Sequence, residues 1–162
     1  MAVDLAPLQA LRAQGKLDEA RGAAVALAAQ HADDAELQFF TACIHDALGR
    51  EAQALPYYRA CLANLALSEA SRREAYVGLG SSLRCLGRYA ESHAVLLQGL
   101  EHAPAHGAMR AFLAMTRHNL GDDKAAVEDL LALLAQTSND ESIRDYAKAI
   151  AFYAQDVDKR WA

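Results

Sequence analysis

The chain has 162 residues, a formal charge of -5, and 53% hydrophobic against 23% charged residues, a balance that argues against wholesale disorder and against a strongly cationic nucleic-acid surface. Alanine and leucine supply 37 and 23 residues, whereas valine, isoleucine and threonine together supply 12, so helices are favoured over a largely β fold. Three cysteines without a CxxC pair lead us to expect reduced thiols in one cytoplasmic domain spanning 1–162.

The opening MAVDLAPLQALRAQG has no basic leader ahead of an apolar stretch, and no secretion signal is expected. The most apolar runs, Gly22 to Ala32 and Leu130 to Ala135, fall short of the roughly 20 residues a bilayer needs. A first unit, about 1–34, has an apolar run ending at Gly15 and a polar turn into a second run, AQGKLDEARGAAVALA. The second, about 35–68, repeats this as ALGREAQALPYYRACL. Pro56 falls near the start of its second helix, where the first turn tolerates proline and the interior does not.

Between Leu62 and Glu74 the chain reads LANLALSEASRRE. Either the preceding helix runs longer here, or Ser68 caps a new one with Glu69 following; a loop flanked by Ser68 and Ser71 is favoured. The third unit, about 73–106, reads AYVGLGSSLRCLGRYAESHAVLLQGLEHAP, and Pro104 stops it. Its GLGSS lacks the lysine of a phosphate loop, so the glycines are read as sites of close helix packing. The fourth, about 107–139, carries NLGDDKAAVEDLLALL. A terminal capping helix is expected over about 140–158, with Ile143, Tyr146, Ile150, Tyr153 and Val157 at helical spacing after a TSNDES cap.

Gly15, Gly49, Gly87 and Gly121 are spaced 34, 38 and 34 residues apart, a period that points to stacked helical hairpins. Each glycine can take the left-handed conformation that lets the chain reverse. Ala20, Ala54 and Ala126 follow five residues after a turn glycine, with Ser92 in the same place of the third unit, and these small residues let antiparallel helices approach. The pattern resembles the tetratricopeptide repeat: Leu79-Gly80 and Leu113-Ala114 match its Leu-Gly or Leu-Ala pair, and four units agree in register. The stretch RREAYVGLGSSLRCLGRY looks like a subgroup of small bacterial members with no activity assigned to it. The resemblance implies an all-α, right-handed solenoid of about four hairpins plus the C-terminal cap, acting as a non-enzymatic scaffold that binds a peptide or helix of a partner protein in a concave groove.

Repeat symmetry selects the groove. Three residues before each turn glycine stand Arg12, Asp46, Arg84 and His118; six before stand Gln9, Cys43, Ser81 and Met115; ten before stand Leu5, Phe39, Val77 and Ala111. With Asn119 beside His118, these rows predict an apolar strip edged by charge, suited to a mostly apolar peptide with an acidic group near Arg84 or Arg12. The Lys and Asn pair with which some members of the family grip a terminal carboxylate is absent from the corresponding places. The competing reading has Arg12 and Arg84 in solvated ion pairs worth ~0–1 kcal/mol. A small-molecule or peptide sensor using the same groove is the alternative function.

Other classes find less support. No HExxH, paired CxxC or phosphate-binding loop is present, and His102 and His106 are divided by Pro104. Cys43 and Cys85 are read as thiols near the groove and Cys61 as buried, without an identifiable base; no catalytic residue, cofactor or metal is expected. Arg72, Arg73, Arg84 and Arg88 form a local basic edge in an acidic chain of pI about 5.6, so neither nucleic acid nor membrane is an expected partner. Phe152 and Trp161 mark either a homodimer contact through the terminal helix or a partly covered aromatic and a frayed tail.

Overall fold

The computed structural model describes residues 2–160, among which ten helices and no strands are found. Four hairpins follow one another: α1 (Ala6–Ala13) with α2 (Leu17–Gln30), α3 (Ala35–Ala47) with α4 (Glu51–Ala63), α5 (Glu69–Cys85) with α6 (Tyr89–His102), and α7 (Gly107–Asn119) with α8 (Asp123–Thr137). Gly15, Gly49, Gly87 and Gly121 all lie in the left-handed region, at φ +74°, +66°, +72° and +86°. Around each the same pair of bonds closes the helix. At Gly49, for example, the Gly49 amide donates to the Asp46 carbonyl and the Arg50 amide to the His45 carbonyl, both at 2.9 Å. Carbonyls that the helix leaves open are thereby satisfied.

The four extra residues of the middle interval lie in a helix. α5 has 17 residues against 13 for α3 and α7, one additional turn. Ser68 caps it, accepting from the Ser71 amide at 3.2 Å, but Ser71 sits inside the helix and does not flank a loop. Long-range bonds order that turn: the Ser71 hydroxyl donates to Glu36 at 2.6 Å and the Ser68 amide to the same carboxylate at 2.9 Å. Arg72 is buried and donates to the Leu62 and Asn64 carbonyls at 3.0 and 2.8 Å, satisfying the open end of α4. Pro56 likewise falls beyond the first turn of α4, which continues through it. Packing of α4 against α3 and α5 holds the helix despite the missing donor.

Each second helix packs on the following first helix, and the first helices α3, α5 and α7 also pack on one another, while the second helices do not to a comparable degree. The first-helix face is therefore the inner side of the array. Ala20, Ala54, Ser92 and Ala126 are all buried; the Ser92 hydroxyl is satisfied by the Gly80 carbonyl at 2.7 Å. A methyl group on Gly80 would meet Leu96 at 2.6 Å, and one on Gly78 would meet the Tyr58 ring at 2.3 Å. Close packing is thus what these glycines serve. Among the described residues no helix is long and apolar enough to cross a membrane.

The terminal segment is helical but broken in two, α9 (Glu141–Asp145) and α10 (Ala147–Tyr153). Tyr146 stands between them and is 68% exposed, so the apolar spacing read from Ile143 to Val157 does not make one buried stripe. α10 packs on α8, and the residues behind it are tied down by Lys124 to Asp156 at 2.6 Å and by the Val157 amide to Glu128 at 3.1 Å. Phe152 is exposed and meets Tyr153 edge-on. Trp161 lies outside the described residues.

Candidate groove on the first-helix face

α1 has eight residues and packs on α2 without a comparable contact to α3. The space left between α1 and α3 is a cavity of about 510 Å³ lined by Leu5, Gln9, Arg12 and Ala13 of α1, Glu36, Phe39 and Phe40 of α3, and Ser71 of α5. It unites four residues that the repeat rows select, Leu5, Gln9, Arg12 and Phe39. The Arg12 guanidinium makes no hydrogen bond or ion pair among the described residues. The one carboxylate in the lining, Glu36, is already engaged by Ser71 and Ser68. Burial opposes its ionisation, but those bonds outweigh it and hold its pKa below the ordinary 4.5.

Asp46 has a different setting. It accepts from the Tyr58 hydroxyl at 2.7 Å and from the Ser82 hydroxyl at 2.7 Å, joining α3, α4 and α5. Burial still pushes its pKa up from the ordinary 3.8, against the pull of those two bonds. Cys43 is half-buried, Cys61 buried and Cys85 exposed, all three free. Desolvation raises the Cys43 thiol and pushes Cys61 up to about 12, which keeps both in the poorly nucleophilic neutral form. Val77 and Ser81 are half-buried on α5, and the Ser81 hydroxyl donates to the Gly78 carbonyl at 3.0 Å.

At the other end Arg84, Met115 and His118 line a second opening of about 400 Å³ together with Ala114, Asp123, Ala126, Val127 and Leu130. Arg84 donates from Nε to the side-chain Oδ1 of Asn119 at 2.7 Å, linking α5 to α7. His118 sits 2.6 Å from Asp123 across the turn. The rows selected by symmetry are therefore split into two openings, a mixed polar and apolar one at Arg12 and an apolar one at Met115, and Cys43, Asp46, Val77 and Ser81 line neither. Sequence reading passed over Glu36 and Ser71, whose role depends on the extra turn. It also passed over Val127 and Leu130, which lie on a second helix and which the same counting from Gly121 would have reached.

Among the described residues no group of three or more His, Cys, Asp or Glu side chains is placed to hold a metal ion. Left-handed glycines at four hairpin turns, buried small residues five positions later and directly packed first helices define a helical-repeat scaffold. The family described as tetratrico peptide repeat matches residues 35–157. The chain belongs to that family, whose repeats are generally non-enzymatic protein-interaction scaffolds. No curated protein matches it.

Proposed function

We propose that the inner face built from α1, α3, α5 and α7 holds a mostly apolar segment of a partner protein in the cytoplasm, with a carboxylate of that segment against Arg12. The observation that carries this reading is an unengaged guanidinium at a cavity whose apolar wall is formed by Leu5, Phe39 and Phe40. A guanidinium accepts a carboxylate through two parallel bonds, and the competing acid, Glu36, is occupied by serines. From the cavity the segment runs along Cys43, Val77, Ser81 and Met115 toward Asn119 and His118. Asp46 and Arg84 act in this reading as fixed walls, since each holds a neighbouring helix.

An array of apolar peptides with and without an Asp or Glu tests the proposal. Acid-bearing peptides are expected to bind, and Arg12→Ala to weaken them about tenfold without lowering Tm. Phe39→Ala combined with Arg84→Ala should abolish binding in a chain that remains folded. Binding indifferent to the acid or to both substitutions would remove the assignment.

A small-molecule or peptide sensor is the second reading, favoured by a cavity within the roughly 300–1,000 Å³ of small-ligand sites. A small molecule from the native cytosol that raises Tm with no protein partner present would select it.

A further inference from the structure

In the first three hairpins, the ninth residue after the turn glycine is sealed by the next first helix. Ala24 clusters with Leu37 and Phe40 of α3, Tyr58 with Leu79 and Leu83 of α5, and Leu96 with Met109 and Leu113 of α7; their exposures are 0%, 2% and 0%. Leu130 occupies this place after Gly121 and is 44% exposed, with Val127 beside it at 47%. Neither α9 nor α10 lines the opening there. The chain behind α10 is instead bonded to Lys124 and Glu128. The counterparts of those two positions in α4 and α6, Ala52, Pro56, Ala90 and Ala94, are all exposed. The place filled by α3, α5 and α7 in turn is thus open against α7 and α8.

Its charge is also set by register. The residue three before the turn glycine reaches the following first helix in two hairpins: Asp46 accepts from Ser82 of α5, and Arg84 donates to Asn119 of α7. In the last hairpin that residue is His118, exposed and paired with Asp123 at 68% and 71% side-chain exposure. A helix lying parallel to α7 would bring its C-terminal turn to Arg84 and the His118–Asp123 pair, where its carbonyl end and an acidic side chain would meet the Arg84 guanidinium.

We propose that Met115, Val127 and Leu130, with Arg84 and His118 at the turn end, dock an amphipathic helix of a partner protein in the place of a further first helix. Its apolar residues would recur at i, i+3 and i+7, and an acidic residue would stand in its last turn. A second copy is the poorer occupant. Its first helices α3, α5 and α7 are buried in their own array, and its α10, AKAIAFY, carries Lys148 and no acid. The opening shares no lining residue with the Arg12 cavity, but Met115 and His118 also lie on the path of the segment proposed above, so Leu130→Asp and Arg12→Ala are the variants that tell the two sites apart.

The probe is a stapled helix of about 14 residues with leucines at i, i+3 and i+7 and a glutamate in its last turn, long enough to match α7. Fluorescence anisotropy should show saturable binding, about tenfold weaker when the glutamate is replaced by lysine. Leu130→Asp should abolish it and Arg12→Ala should leave it unchanged. Leu130 is partly solvated, so circular dichroism should report an intact fold. Amide shifts in the native chain, confined to α7 and α8, give a reading that needs no variant. Absent binding, binding insensitive to Leu130→Asp, or shifts elsewhere would overturn the proposal. So would a homodimer in sedimentation that Leu130→Asp dissolves, because the occupant would then be a second copy.

Discussion

Asp46 and Ser82 stand 36 residues apart in sequence, and the Ser82 hydroxyl donates to the Asp46 carboxylate at 2.7 Å. Tyr58 donates to the other carboxylate oxygen, so one side chain of α3 ties down its own hairpin partner and the next hairpin. Asp46→Ala leaves two hydroxyls without an acceptor and is expected to cost about 2–4 kcal/mol; Ser82→Ala removes one donor and should cost about 1 kcal/mol. Urea unfolding of the single and double variants would show the two effects to be non-additive by about 0.5 kcal/mol or more. Strict additivity would mean that the bond does not couple the hairpins.

Two carboxylates give opposite responses to acid. Glu36 has its folded pKa held below 4.5, so its stabilisation is present above that value and is lost as pH falls through the folded pKa. Asp46 has its folded pKa raised above 3.8, so its contribution becomes more favourable as pH falls through the raised value towards 3.8. In urea titrations from pH 7 downward, the stability advantage of the native chain over Glu36→Gln should shrink below pH 4.5. Over Asp46→Asn it should grow. Parallel pH profiles for the two variants would contradict the assigned environments.

Glycines in this chain respond to alanine according to what faces them. A methyl group on Gly78 would lie 2.3 Å from the Tyr58 ring, whose hydroxyl is anchored on Asp46 and cannot swing away freely. Gly78→Ala should therefore destabilise by about 1–3 kcal/mol. Gly22, in α2, has nothing within 4 Å of the same methyl group, and Gly22→Ala should stabilise by about 0.5–1 kcal/mol through helix propensity alone. Thermal melts of both variants decide the matter, and equal shifts would undo the distinction.

The contrast between turns and side-chain networks explains which features could be read in advance. Gly15, Gly49, Gly87 and Gly121 were legible because a left-handed residue at a hairpin is a local requirement that few side chains meet. Ser68 was legible as a cap for the same reason. The extra turn of α5 was not, since Ser71 and Arg72 look like loop residues until Glu36 and the end of α4 are placed beside them. Symmetry put Asp46 and Arg84 in the groove rows, but it could not say that their bonds would point at Ser82 and Asn119. The break at Tyr146 escaped because apolar spacing records which residues could share a face and not whether a neighbour is there to cover it.

Pro56 presents the remaining conflict between local preference and tertiary packing. It lies inside α4, exposed, and without an N–H it leaves the Ala52 carbonyl short of its helical partner. Buried Ala54, Leu55, Tyr58 and Cys61 on the opposite flank hold the helix together through that defect. Pro56→Ala restores the donor and removes the ring's clash, a gain partly offset because the unfolded chain becomes more flexible. The net expectation is stabilisation by about 1–2 kcal/mol, with the new amide at position 56 protected from hydrogen exchange. If the variant were less stable than the native chain, Pro56 would have to contribute through its contact surface beside Tyr57 and His45, and the account of α4 as a helix carried by its buried face would fail.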